Sequence, residues 1–211
     1  MKKLLFWMVL IVGIVVLLGS CAKKDDDTAA ASTSVTSTTA SGSITVGSET
    51  LSGTYVSTCN TTQFAAAAGT SIFPSDVKSG KTVIVVTSDT TFSDEMLMYT
   101  DTSCSTPSAY TKNGNTSVTV GVAVDNGTKV TYNSSTYKVN AYTAVARDNL
   151  TAALIGNITD IDLTVGEEFS TPGSGNLYMN LWSVTSTTIE TGEEDRSTQP
   201  PAMDSMVMTK E

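Results

Sequence analysis

The sequence predicts an all-β domain, an antiparallel barrel or a two-sheet sandwich of about eight strands, flanked by a disordered tether and tail. Three observations predict it. Apolar side chains alternate with small polar ones over several short stretches, the period of a strand with one buried face. Ser and Thr together make 62 of the 211 residues, and Thr and Val suit a pleated, half-buried surface. Clusters of Gly, Asn, Asp and Ser punctuate these stretches at short intervals, as antiparallel connections require.

Taken along the chain, Leu51 to Thr58 places Leu51, Gly53 and Tyr55 on one face. Residues 64 to 79 read as a helical turn or a loop, because Pro74 stops any long helix. Thr82 to Thr87 holds the run Val83-Ile84-Val85-Val86, apolar on both faces, and Thr91 to Tyr99 aligns Phe92, Met96 and Met98. Ser117 to Val124 alternates with Val118, Val120, Val122 and Val124 on one side. Asp125-Asn126-Gly127 then supplies a hairpin turn, since Asn and Gly tolerate positive φ. Thr128 to Tyr132 follows, Asn133-Ser134-Ser135 reads as a second turn, and Tyr137, Val139, Ala141, Thr143 and Val145 share the next face. Leu150 to Ile155 fits a strand or a short helix. Ile158 to Val165 reads as a strand through Ile161, Leu163 and Val165. Asn176 to Ser186 sets Leu177, Met179 and Leu181 opposite Tyr178, Trp182 and Val184.

The flanks differ in kind. Residues 22–42 are small, polar and without periodicity, and cannot bury enough area to offset chain entropy, so they read as a tether. Residues 191–211 are acidic, contain Pro200-Pro201, and read as a disordered tail, which leaves 43–190 as the β domain. The formal charge of −9 argues against a nucleic-acid partner, because phosphates repel an acidic surface. With no His in the chain, the commonest general base and metal ligand are missing, and no metal or cofactor is expected.

The first residues, MKKLLFWMVLIVGIVVLLGSC, join a positive start to an apolar run from Leu4 to Leu18. That run is short for a membrane span and fits the apolar region of a signal peptide over residues 1–20. Leu18-Gly19-Ser20-Cys21 resembles the bacterial lipobox, an aliphatic residue and two small ones before Cys. The resemblance implies cleavage before Cys21, diacylglycerol on its thiol, and a second acylation of the new amino group. Two or three acyl chains anchor a protein stably where one does not. Ala22 in place of Asp implies, by the same resemblance, the outer membrane of a bacterial envelope. Loss of Lys2 and Lys3 would leave the mature chain at −11.

With Cys21 lipidated, Cys59 and Cys104 have only each other, and an oxidising compartment would join them. Gly53-Thr54-Tyr55 followed by Cys59, then Tyr99-x-Asp101-x-x-Cys104, resembles a layout of small secreted bacterial lipoproteins. Gly53-x-Tyr55 also resembles the Gly-x-Trp opening of lipocalin-like barrels, with Tyr in place of Trp. That family implies a floor closed by the aromatic and an Arg near the last strand stacked upon it. The only arginine inside the β domain, Arg147, lies far before the last expected strand.

Two noncatalytic functions follow. The domain serves envelope structure or protein interaction through its polar faces and edges, or it binds a small hydrophobic ligand inside a barrel lined by Tyr55, Met96, Met98 and Met179. The acids Asp94, Glu95, Asp101, Asp125, Asp148, Asp160, Asp162, Glu167 and Glu168 are candidates for paired-carboxylate chemistry. No nucleophile elbow, zinc-protease helix or phosphate loop accompanies them, so an enzyme is not expected.

Overall fold

The computed structural model describes residues 38–155, 158, 161–192, 198 and 203–211. Among these residues eleven strands and two helices follow in order: β1 (Ile44–Val46), β2 (Glu49–Leu51), β3 (Thr54–Ser57), α1 (Thr62–Ala67), β4 (Ser79–Val86), β5 (Phe92–Tyr99), β6 (Pro107–Val124), β7 (Gly127–Ala141), α2 (Ala144–Leu154), β8 (Glu168–Pro172), β9 (Leu177–Val184), β10 (Thr188–Gly192) and β11 (Met203–Lys210). Strands β3 to β7 and β9 to β11 pair in sequence order, all antiparallel, and β11 returns to β3. The result is a closed eight-stranded up-and-down barrel, not a sandwich, with β8 as an extra strand. Closure removes the unpaired edges that an open sheet must otherwise protect.

Alternation decides which side chains enter the lumen. At one end Tyr55, Ile84, Val86, Phe92, Val118, Val130, Tyr132, Trp182, Ile189 and Met208 form one cluster, and the β1–β2 hairpin plugs it with Ile44, Val46 and Leu51. Phe92 stands edge-on to Tyr132 at 4.9 Å and to Trp182 at 5.0 Å between ring centres. Such pairs add about 0.5–1.5 kcal/mol each beyond burial. At the far end α1 and α2 bring Phe64, Ala146, Leu150 and Leu154 onto Met98, Ala109, Val139 and Ala141. Phe64 lies flat against Gly80, where a Cβ would come within 2.1 Å of its ring, so this seal requires glycine. Outside the barrel Val83 and Val85 pack with Leu97 and Tyr110 under Ala40, which explains why β4 is apolar on both faces.

Several expectations are corrected. Asn133-Ser134-Ser135 is not a turn, because β7 runs through it with a bulge: Gly114 pairs with Thr136 and Asn115 with Ser134, leaving Ser135 extra. The bulge puts Tyr132 and Tyr137 on the same inner face despite their odd spacing, and it is where β7 exchanges β9 for β8 as neighbour. Two further irregularities lie in β6: Ser117 and Val118 stand opposite Tyr132 alone, and Gly121 and Val122 opposite Lys129 alone. Val122 and Val124 therefore leave the inner face and are 67% and 40% exposed, although Val118 is buried. Thr143 and Val145 belong to the start of α2, with the Thr143 hydroxyl accepting from the Ala146 amide as an N-cap, and the segment at 150 is helical. No strand covers residues 158–165 among the described residues, yet Ile161 and Leu163 are buried against α2.

The tail and tether are corrected too. Met203–Lys210 is the seam strand β11, paired with both β10 and β3, and Met208 is buried. Its apolar Met208 alternates with Val207 and Thr209, too few residues for period two to stand out in an acidic stretch. Residues 38–42, expected in the tether, lie along the outer wall: the Ser41 amide donates to the Val86 carbonyl and the Thr38 hydroxyl to Glu95. The expected signal peptide over residues 1–20, Cys21 and the rest of the expected tether fall outside the described residues. Among the described residues no helix is long and apolar enough to cross a membrane.

Removing residues 203–211 deletes the strand that joins β10 to β3. We expect the shortened chain to lose its cooperative thermal transition in circular dichroism, whereas loss of a mere tail would leave the melting temperature in place.

Candidate functional site

Between the two sealed ends lies a polar belt. On β5 and β6 the inward residues are Asp94, Met96, Thr111, Asn113 and Asn115, and on β7 they are Tyr137 and Val139. The amides of Asn113 and Asn115 both donate to Asp94, the first at 2.7 Å. Lower down, Asn180 donates to the Tyr132 hydroxyl and accepts from the Gly192 amide. Asp94, Met96, Asn113 and Tyr137 point inward yet are only half-buried. These four keep some accessible surface, unlike the fully buried inward residues of the two end clusters.

Tyr137 is the anomaly of the belt. It packs against the far-end cluster, and its hydroxyl is buried with no hydrogen-bond partner. Burial pushes its phenol up to about 12. An unpaired buried hydroxyl costs about 1–3 kcal/mol and calls for an explanation.

The outer wall carries a separate charge row. Glu95 pairs across strands with Lys112, and Lys112 with Lys138. Like charges directly opposite repel, and Glu168 on β8 offsets this by accepting from Lys138 and from Tyr110. Burial raises the Glu168 carboxyl, but those hydrogen bonds and the charges of Lys112 and Lys138 outweigh it and hold it below its ordinary value. Glu95 and Lys112 are 2% and 7% exposed because Thr38 covers them, bonding to both. Beside this row opens a cleft of about 350 Å³, walled by Thr38, Ser93, Lys112, Thr116, Thr136 and Lys138. Its charges are already matched within the row, so it offers a polar surface without a net attraction.

The β5–β6 connection is held by Cys59–Cys104, with Cα atoms 5.9 Å apart, and by Asp101. The Asp101 carboxylate accepts from the amides of Ser103, Ser105 and Thr106 and from the hydroxyls of Ser103 and Ser105. The Thr106 bond leads in holding this carboxyl far below the usual carboxylate range; burial, next in size, pushes the other way, and the Ser103 and Ser105 bonds add to the lowering. Five donors onto one side chain make Asp101 the organiser of a turn in which Cys104 adopts a positive φ of 53°.

Of the four lumen residues expected from sequence, Tyr55 and Met98 are fully buried in opposite clusters, and Met96 borders the open level. Met179 is corrected. It alternates with Tyr178 and Asn180, which face inward, so it lies on the outer side of β9. The basic residue of the last strand is Lys210, paired with Tyr55 and bonded to the Ser52 hydroxyl, while Arg147 sits on α2 beside Asp148. Tyr137, Asp94 and Asn113 were not read as a group, because the Ser135 bulge hides their shared face. The acids do not converge: Asp94 is inside, Glu95 and Glu168 are outside, Asp101 is in its turn, Asp125, Asp148, Asp162 and Glu167 are exposed, and Asp160 lies outside the described residues. Among the described residues no group of His, Cys, Asp and Glu could hold a metal ion.

No family model matches the chain, and no curated protein matches it.

Two outcomes test the turn. Cys59→Ser with Cys104→Ser opens a loop of 45 residues, and a loss of about 4 kcal/mol is expected in urea titration, less whatever the native bridge strains. Asp101→Asn should cost about 1 kcal/mol at neutral pH. Because the folded carboxyl stays ionised below its unfolded value, its contribution is present above about pH 4 and lost as pH falls further. The variant should therefore show a shallower decline in stability between neutral and acid pH than the parent.

Proposed function

We propose that this chain is a lipoprotein of a bacterial envelope, fastened through acylated Cys21, whose noncatalytic barrel holds a small, largely apolar ligand at the middle of its lumen. The observation that carries the ligand reading is the accessible level bordered by Met96, Asp94, Asn113 and Tyr137 between two ends closed by side chains. A domain built only to present a surface has no need to leave inward residues unburied and a hydroxyl unpaired. The Cys59–Cys104 bridge suits an oxidising compartment outside the cytoplasm. The outer membrane is the favoured site of anchorage, resting on Ala22. The noncatalytic reading rests on the dispersed acids and on the absence of His from the sequence.

A second reading, contact with another envelope protein, is favoured by the hairpin tip, where Val122 and Val124 are exposed beside Asp125.

Anchorage and binding are tested separately. Radiolabelled palmitate should appear on the parent and not on Cys21→Ser, and equal labelling of both would overturn the anchor. Native mass spectrometry of the protein from its own host should show a retained lipid-like mass displaced by added hydrophobes. A bare polypeptide mass that takes up none of them would leave the interaction reading in its place.

A further inference from the structure

We propose that the cleft on the outer wall binds one neutral sugar ring, free or at the end of a glycan, at a site separate from the lumen. Its position follows from the register. Two neighbouring cross-strand rows share the outer face: Ser93, Gly114 and Thr136 on β5, β6 and β7, and one step along them Glu95, Lys112 and Lys138. The first row has a glycine at its centre. A Cβ at Gly114 would stand 2.3 Å from the Thr136 hydroxyl oxygen, so the wall is hollow there because that row lacks its middle side chain. Thr38 and the bulge residue Ser135 bound the hollow, and together these residues enclose the cleft of about 350 Å³. That is the low end of the range for small-molecule sites, with room for one ring.

The ligand class follows from where the protons of the wall point. The hydroxyls of Thr38 and Ser93 both donate to Glu95, and that of Ser135 donates to the Gly114 carbonyl. Having given their protons, these three present lone pairs to a guest. The ammonium groups of Lys112 and Lys138 supply N–H donors on the same wall. Ser93 and Lys112 are more than nine-tenths buried, so their directions are set before any ligand arrives. Interleaved lone pairs and N–H groups suit a ligand whose every polar group both donates and accepts, as each hydroxyl of a sugar does.

Charged ligands fit the wall less well. An anion accepts only, and would face the lone pairs of Thr38, Ser93 and Ser135. A cation donates only, and would face two ammonium groups. Glu168 already stands 3.9 Å from Lys112 and accepts from Lys138, so neither lysine calls for a counter-ion. Contacts of this kind replace hydrogen bonds to water, and the affinity is expected at about 1 mM.

The test is an NMR titration of the full mature chain with Cys21→Ser, following backbone amides at a mildly acidic pH that keeps glucosamine protonated. The probes are glucose, galactose and N-acetylglucosamine as neutral rings, glucuronate and glucosamine as charged ones, and maltotriose as a chain. We expect at least one neutral ring to shift the amides of Ser93, Gly114 and Thr136 saturably, and both charged rings to bind about fivefold more weakly or worse. Thr136→Val keeps the shape of an exposed side chain and should weaken the neutral ring about three- to tenfold with the melting temperature unchanged. Gly114→Ala fills the hollow and should weaken it at least as much; should that variant fail to fold, Thr136→Val decides alone. No saturable shift at these amides with any neutral ring overturns the site. A tighter glucuronate or glucosamine overturns the neutral class. Equal binding by parent and Thr136→Val overturns the placement. Maltotriose binding more tightly than glucose identifies a glycan as the source of the ring, and equal or weaker binding a free sugar, both of which uphold the site.

Discussion

The pairing of β11 with β3 is the constraint on which the rest of the structure depends. Only three residue pairs make it, Met208 with Ser57, Thr209 with Val56, and Lys210 with Tyr55. Without it the sheet would expose the backbone donors and acceptors of two edges, and Tyr55, Ile189 and Met208 would lose the wall against which they pack. The seam also sets the lumen. Once the sheet closes, inward side chains have a fixed volume to fill, and the two ends fill theirs with aromatic rings below and helices above. The middle is left to residues that are polar or only partly covered.

That division of the lumen has a physical logic. Large rings at the plugged end interlock through edge-to-face contacts, which fix their rotamers and leave no room for a guest. At the far end the small residues Gly80, Ala109 and Ala141 let Phe64 and the helix α2 approach closely. Neither arrangement suits the level between them, where Asp94 must keep its hydrogen bonds and therefore cannot be surrounded by hydrocarbon alone. The polar belt is the place where the interior is least like an interior.

Much of the fold was legible because a closed antiparallel barrel advertises itself by period two. The alternation at Phe92, Met96 and Met98, the double-sided apolar run in β4, and the hairpin at Asp125-Asn126-Gly127 all reappear as read. At that hairpin Gly127 is required by the nearby β9 backbone, since a Cβ there would lie 2.9 Å from the Trp182 carbonyl oxygen. What stayed hidden is what breaks the period. A single extra residue at Ser135 moves a tyrosine from one face to the other, and Gly121 with Val122 does the same for two valines. Such bulges carry no strong sequence mark, and the Asn-Ser-Ser at the first of them mimics a turn. The seam strand escaped for another reason. Its partners lie far away in the sequence, so the pairing that makes it a strand cannot be seen locally. The candidate site inherits the first difficulty, because Tyr137 is reached through one bulge.

The seam has a kinetic side as well. Among the described residues β3 is the earliest barrel strand along the chain and β11 the latest, some 150 positions apart, so their meeting closes the longest loop in the barrel. Until β11 pairs, the other seven barrel strands are a curled ribbon with two raw margins. Enclosure of the lumen therefore waits on the pairing of β11 with β3, in whatever order the other strands assemble.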